Sequence, residues 1–287
     1  MELLWADGTQ SWIARSALKG EPAQDEWDNQ EPEEPEVICS QKELEEKVKI
    51  LVKWIQQRAK KKKKRFIVFH VGAGMSAGDG VPTFRGVGGL WTRGREDISN
   101  FDLAAVQPGY PYEAMIALEQ NGFVDWVVTQ NYDNLFRKSG FPTEKLSEIH
   151  GNIFIEKCPS CGKTFARNFP VEKEDGEDHR TGRLCEDKWC HSELVDNLVH
   201  FGDALNDGDQ ASEMSEQATL SIAIGTKLMV TPAADWVFYP HLKKKGLGKV
   251  IIVNSQITPA DDSADLVIHH KADAFFRTLC KALKIDV

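Results

Sequence analysis

Four of the six cysteines fall within one short window. Cys158 and Cys161 form a Cys-x2-Cys pair and Cys185 and Cys190 a Cys-x4-Cys pair, with 23 residues between them. Thiolates so spaced can clip a single tetrahedral zinc ion from two turns. Pro159, Ser160 and Gly162 give the first pair its turn chemistry. The stretch between the pairs is polar and has no core of its own, so the metal is expected to supply the missing stability. Four thiolates close the coordination sphere, which makes the expected role structural. His179 and His191 are spare candidates that four cysteines make unnecessary. Without a basic, apolar export signal at residues 1–12, paired cysteines read as ligands in a reducing compartment.

A second group of chemically capable residues surrounds a glycine-rich run. Residues 71–86 read VGAGMSAGDGVPTFRG and follow FIVFH, a short apolar run with the character of a buried parallel strand. Strand followed by glycine turn is where backbone N–H groups bind nucleotide phosphates. A tight turn without a ligand is the competing reading. Residues 123–129 (FVDWVVT) read as a second strand, with Gln130, Asn131, Tyr132 and Asp133 at its carboxyl end. Open parallel sheets bind ligands at such ends. His150 stands next to Gly151. Taken alone, a histidine in that setting reads as structural rather than catalytic.

These groups need elements to position them. Asp7-Gly8 lies between two apolar runs and signals a hairpin, but one hairpin is marginal in water, so residues 1–20 are expected to be a tail. Residues 21–36 hold eight acidic residues, three prolines and no basic residue, which marks a solvated linker. Ser40 with Glu43 forms a capping box, and Leu44, Val48, Leu51 and Ile55 recur at helical spacing, predicting an amphipathic helix over 40–58. The six basic residues 60–65 read either as a solvated helix end or as a nuclear-import patch. Residues 86–97 read as a polar loop over a site, and 111–120 as a helix. Later strands are expected at 198–203, at 220–224 before Gly225-Thr226, at 249–253 before Asn254-Ser255, and at 266–268, with a closing helix at 273–283. Strands that run repeatedly into Gly, Asn, Thr or Ser predict an α/β fold: a doubly wound, parallel, Rossmann-like sheet with a smaller zinc-binding and helical subdomain. The 287 residues, 41% hydrophobic and 28% charged, suit a globular protein, and no apolar run is long enough for a bilayer, so no membrane partner is expected. A net charge of −9 argues against nucleic acid as a partner for the whole surface and leaves direct binding open at 60–65.

In their order along the chain these motifs resemble the sirtuins, NAD-dependent protein deacylases, over about residues 36–287. The resemblance rests on Gly72-Ala73-Gly74-x-Ser76 with Pro82-x-Phe84-Arg85-Gly86, then Thr129-Gln130-Asn131-x-Asp133-x-Leu135, His150-Gly151 and the four cysteines. Phe201-Gly202, Gly225-Thr226 and Asn254-x-Gln256-x-Thr258-Pro259 complete it. Gly89-Leu90-Trp91-Thr92 and the run 196–202 are similar to the class IV branch, which includes nuclear, chromatin-associated members. The resemblance implies a tail and linker at 1–36 and a catalytic domain at 37–287. Its Rossmann-like part takes 37–86, 120–154 and 198–287. A small subdomain takes 155–197 with an insert at 87–119.

The resemblance also implies the chemistry: transferase-type deacylation of an acyl-lysine protein, possible histone substrates included, in the nucleus rather than the cytoplasm. NAD is the implied cofactor and one structural Zn2+ the implied metal. The diphosphate would lie on residues 72–76, with Thr83, Phe84, Arg85 and Trp91 around the nicotinamide ribose. Gln130 would bond the ribose, and Asn131 and Asp133 would hold the nicotinamide end. His150 would act as general base on a ribose hydroxyl. Gly225, Thr226, Lys227, Asn254, Ser255 and Ala272 take adenosine-side positions, and Val199, His200, Phe201 and Gly202 the peptide position. A mono-ADP-ribosyltransferase, an NAD glycohydrolase or a weakly active NAD- or ADP-ribose-binding chromatin adaptor are the alternatives on the same fold. The chain departs from the family pattern at Thr83, where Asp is usual, and at Asp79, Asn134, Lys227 and Ser255. A threonine lacks the charge and second acceptor oxygen of Asp, so turnover is the property that Thr83 puts in question.

Overall fold

A computed structural model describes residues 2–4, 10–12, 35–60, 66–81, 102–172, 179–200, 202–243 and 248–287. At the start of the chain β1 (Glu2–Leu4) pairs antiparallel with β2 (Gln10–Trp12), so the hairpin signal produces strands where a tail was expected. Next comes α1 (Gln41–Lys60), whose first turn is capped by the Ser40 hydroxyl accepting from the Glu43 N–H at 3.3 Å. Leu44, Val48, Leu51 and Ile55 line its buried face.

Then follow β3 (Ile67–Val71), α2 (Tyr110–Gln120), β4 (Trp126–Thr129), α3 (Leu135–Ser139) and β5 (Leu146–Glu148). The second half of the main sheet is β10 (Leu220–Ile224), β11 (Lys249–Val253) and β12 (Leu266–Ile268). All pair in parallel, in the order β12-β11-β10-β3-β4-β5. Every residue of β3 and β10 is buried, because helices cover both faces and the strands read as continuous apolar runs. One face packs against α1, α2 and the closing helix α7 (Ala272–Leu283), through Phe69, Tyr112, Met115, Phe136, Phe275 and Phe276. The other carries Val68, Trp126 and Val128 against Ala211 and Ala218 of the segment holding α4 (Gly208–Gln217), and against Ala233 and Trp236 of α5 (Ala233–Trp236). A short α6 (Tyr239–Lys243) follows. The chain adds β4 and β5 on one side of β3 and later β10 to β12 on the other. The strand order therefore reverses between β3 and β10, where this architecture opens a ligand crevice.

A separate antiparallel sheet is built from β6 (Ile155–Lys157), β7 (Thr164–Ala166), β8 (Arg180–Leu184) and β9 (Glu193–Asp196), in the order β7-β6-β9-β8. The strand expected at 198–203 is not formed: residues 197–200 run on from β9 without a ladder. Their N–H groups are used elsewhere. Leu198 donates to the Asp196 carboxylate (2.9 Å), Val199 to the His150 carbonyl (3.1 Å) and His200 to the Asp203 carboxylate (2.8 Å). No helix among the described residues is long and apolar enough to cross a membrane.

Candidate active site

The crevice is built where β3, β4 and β10 end. The Gly72 N–H donates to the Ile224 carbonyl (3.0 Å), Gly74 to Gly225 (2.9 Å) and Gln130 to Val71 (2.8 Å). Two backbone turns thus cross in contact. A Cβ on Gly72 would lie 2.6 Å from the Gly225 oxygen, and one on Gly225, at φ +64°, 2.5 Å from the Met75 nitrogen. Only glycine fits this crossing. Beyond Gly72 the chain makes two 3-10 turns, Ala73–Met75 and Ala77–Asp79, instead of entering an α-helix directly.

Ser76, Asn131 and Asp133 are buried together beneath the loop. The Ser76 hydroxyl donates to Asp133 Oδ2 (2.6 Å), and the Asn131 amide donates to the Gly72 carbonyl and to Ser76 Oγ (3.2 Å each). Asp133 Oδ1 accepts from the Leu135 N–H at 2.9 Å. Burial raises the Asp133 pKa, against the lowering effect of these donors. The sequence reading missed a fourth member, Tyr112. Its hydroxyl lies 2.6 Å from Ser76 Oγ and 3.5 Å from Asp133, and its ring meets Phe136 edge-on at 4.9 Å. A hydroxyl on a buried helix face has no local motif that would have revealed it.

Gln130 spans the crevice, its amide donating to Thr226 Oγ1 at 3.2 Å. His150 stands on the far side with Nδ1 3.0 Å from the Gln130 carbonyl. A carbonyl only accepts, so the proton sits on Nδ1 and Nε2 keeps its lone pair. Burial lowers the His150 pKa below the ordinary 6.5, and the bond to Gln130 partly offsets this. Gly151, at φ +84°, has no room for a Cβ, which would meet the Asn197 oxygen at 1.7 Å. That close approach, with the Val199 N–H to His150 carbonyl bond, places residues 197–200 directly alongside the histidine.

Asn254 and Ser255 follow β11, and Ala272 opens α7, at the other end of the sheet edge. The Asn254 amide donates to the Gln256 carbonyl at 3.0 Å, and the Ser255 carbonyl accepts from Val37 at 2.6 Å. Lys227 donates to the Ile257 carbonyl at 2.7 Å, tying the turn after β10 to this segment. Two other unusual residues have structural work. Asn134 adopts φ +65°, a left-handed conformation that asparagine tolerates, and accepts from Asn152 at 2.8 Å. Asp79 accepts from the backbone N–H of Gly109, which opens α2, and burial raises its pKa. Thr83, Phe84, Arg85, Trp91 and Phe201 lie outside the described residues, as do 61–65 of the basic run. Gly202 lies in the turn after them.

The four cysteines converge. Cys158 and Cys190 sulfurs are 3.5 Å apart, Cys161 and Cys185 3.6 Å, and all four lie within 4.8 Å of one another. Zinc–sulfur bonds of about 2.3 Å put tetrahedral sulfurs about 3.8 Å apart, so the set fits zinc. Backbone N–H groups of Cys161 and Ser160 lower the Cys158 pKa to about 6, favouring the thiolate that a metal requires.

A doubly wound sheet whose crossed glycine turns adjoin a buried Ser-Asn-Asp cluster, beside a four-cysteine sheet, defines a dinucleotide-binding protein of the zinc-containing kind. The Sir2 family model matches residues 96–232. The chain is 38% identical to NAD-dependent protein deacetylase SRT1 of Oryza sativa subsp. indica, covering 83% of this chain and 48% of that one. It is 34% identical to Sirt6 of Drosophila melanogaster (88% and 80%) and 32% identical to human sirtuin-7 (88% and 64%). Thus it spans about half the length of the plant relative. A solved Sir2 structure with a deacetylated p53 peptide and 3'-O-acetyl ADP ribose is 27% identical, with a TM-score of 0.65, covering 84% of this chain and 100% of that one. Another, bound to acetylated peptide, is 26% identical with a TM-score of 0.64 and the same coverage. The chain belongs to the Sir2 family.

Proposed function

We propose that this chain is an NAD-dependent protein-lysine deacylase. The observation that carries the proposal is the double role of His150: its Nδ1 proton is committed to Gln130, while its own carbonyl holds Val199. A base with a free Nε2 and the segment assigned to the peptide thus meet at one residue. NAD, when bound, supplies the ribosyl carbon that accepts the acyl oxygen as nicotinamide leaves. Asn131 and Asp133 would hold the nicotinamide end, and residues 72–76 would take the diphosphate. Gln130 would bond the ribose, and Gly225, Thr226, Lys227, Asn254, Ser255 and Ala272 would take the adenosine side. His150 Nε2 takes a proton from a ribose hydroxyl. The acyl-lysine peptide lies along 199–202. We assign the catalytic domain to 37–287.

The purified protein incubated with NAD and an acetyl-lysine peptide should release nicotinamide and deacetylated peptide. His150→Ala should lower turnover at least 100-fold and leave the Kd for NAD within about threefold. Full turnover in that variant would remove His150 as the base. The second reading, a cofactor-binding chromatin adaptor with weak turnover, is favoured by Thr83 in place of the usual Asp. Thr83→Asp should then raise turnover, whereas an unchanged rate argues against it. The basic run 60–65 supports a nuclear location. A fluorescent fusion with these residues changed to alanine should leave the nucleus.

A further inference from the structure

Among the described residues, two groups bring potential metal ligands within 4.8 Å of one another. One is the cysteine set. The other is His179, His200 and Asp203, of which His200 alone belongs to the segment assigned to the peptide. His179 immediately precedes β8, while His200 and Asp203 belong to the irregular segment after β9. The histidine rings stack with centroids 4.1 Å apart, and His179 Nε2 lies 3.2 Å from Asp203 Oδ2.

We propose that His179, His200 and Asp203 form a second, exchangeable site for a divalent ion of the zinc class. Bonds of about 2.0–2.1 Å from zinc to imidazole nitrogen or carboxylate oxygen place neighbouring tetrahedral ligands about 3.3 Å apart. The Nε2 to Oδ2 separation of 3.2 Å, a hydrogen bond in the ion's absence, is close to that edge. The ring of His179 is oriented from behind: Nδ1 lies 2.8 Å from Oδ1 of the buried Asp196, which fixes the ring so that Nε2 faces Asp203. A carboxylate behind an imidazole is the usual support for a metal-binding histidine. Asp196 itself is held by the Leu198 N–H at 2.9 Å. Imidazole and carboxylate donors suit Zn2+, Co2+ and Ni2+. Three protein ligands leave a coordination position for water, and the site is reached from solvent, so the ion exchanges where the cysteine-bound ion does not.

A bound ion would rivet the 200–203 turn to the small sheet and engage His200. If the peptide lies along 199–202, as the proposed function holds, the ion and the peptide compete for this segment. The binding claim does not depend on that reading.

The test begins with protein shown by elemental analysis to hold one zinc, and titrates Zn2+ by calorimetry. A second equivalent is expected. His179→Gln and Asp203→Asn should each weaken it at least tenfold while the first zinc stays bound. Absence of a second equivalent, or one indifferent to both variants, overturns the site. Zinc should also inhibit peptide turnover in the parent and less in His179→Gln. A bound second equivalent without any turnover in zinc-free buffer would leave the site standing and remove the deacylase reading.

Discussion

The proposed chemistry depends on single side chains held by buried partners, and Tyr112 is the least expected of them. Ser76 can donate to Asp133 only if its own oxygen is oriented, and the Tyr112 hydroxyl at 2.6 Å provides that orientation. Tyr112→Phe keeps the ring against Phe136 and removes one hydrogen bond, worth about 1 kcal/mol. The ratio kcat/KM should fall about fivefold, mostly through KM for NAD, because Asp133 loses its fixed direction. Wild-type KM in this variant would reduce Tyr112 to packing. For His150 the expectation concerns pH. The neutral imidazole is the working form, and burial lowers its pKa below 6.5. Activity therefore persists below the range of an ordinary histidine and is lost as pH falls through the depressed pKa. A pH–rate profile whose acid limb lies at or above 6.5 would count against a buried base.

At the scale of elements, β3 carries a cost unrelated to the crevice. His70 is fully buried on the sheet face of Val68, and neither ring nitrogen has a hydrogen-bond partner among the described residues. Burial drives its pKa down to about 3. The folded chain holds this imidazole neutral, while the unfolded chain protonates it below about 6.5. Stability from this residue is therefore complete above pH 6.5 and lost as pH falls toward 3, amounting to ~2 kcal/mol by pH 5. His70→Leu should flatten the acid side of the stability curve by one proton, as read by urea unfolding at several pH values. Equal slopes would show that His70 takes up its proton in the folded state. The same strand shows what was legible in sequence. Runs such as IVFHV and LSIAI are continuous apolar stretches, and burial on both faces requires that composition. Ser40 and Glu43 marked the start of α1 because a cap is a local device. Residues 198–203 misled because an apolar run says nothing of which carbonyls its N–H groups will find. Here His150, 49 residues before Val199, supplied one of them. β5, three residues long, was too short to show a period.

In the whole molecule, two sheets of unequal self-sufficiency share one site. The large sheet has an extended apolar core on both faces. The small one has a compact cluster of Cys158, Cys185 and Leu194, with Phe165 and Cys190 beside them. It also holds Glu156, fully buried between Arg167 and Arg183, an arrangement whose attraction is largely offset by desolvation. Four thiolates left without their ion would add repulsion or unpaired sulfur to that small core. Zinc removal should therefore melt β6 to β9 and leave the parallel sheet standing. The crossed turns at Gly72 and Gly225 belong to the large sheet, so NAD affinity should stay within about threefold. Residues 197–200 leave β9 directly, so their approach to His150 should be lost and peptide turnover with it. Stoichiometric chelation or Cys158→Ser, followed by calorimetric NAD binding and by deacetylation of a peptide, separates the two effects. Loss of NAD binding in parallel with turnover would mean that the sheets fold as one unit. Retained turnover after complete zinc loss would instead assign the cohesion of the small sheet to Glu156 and its two arginines.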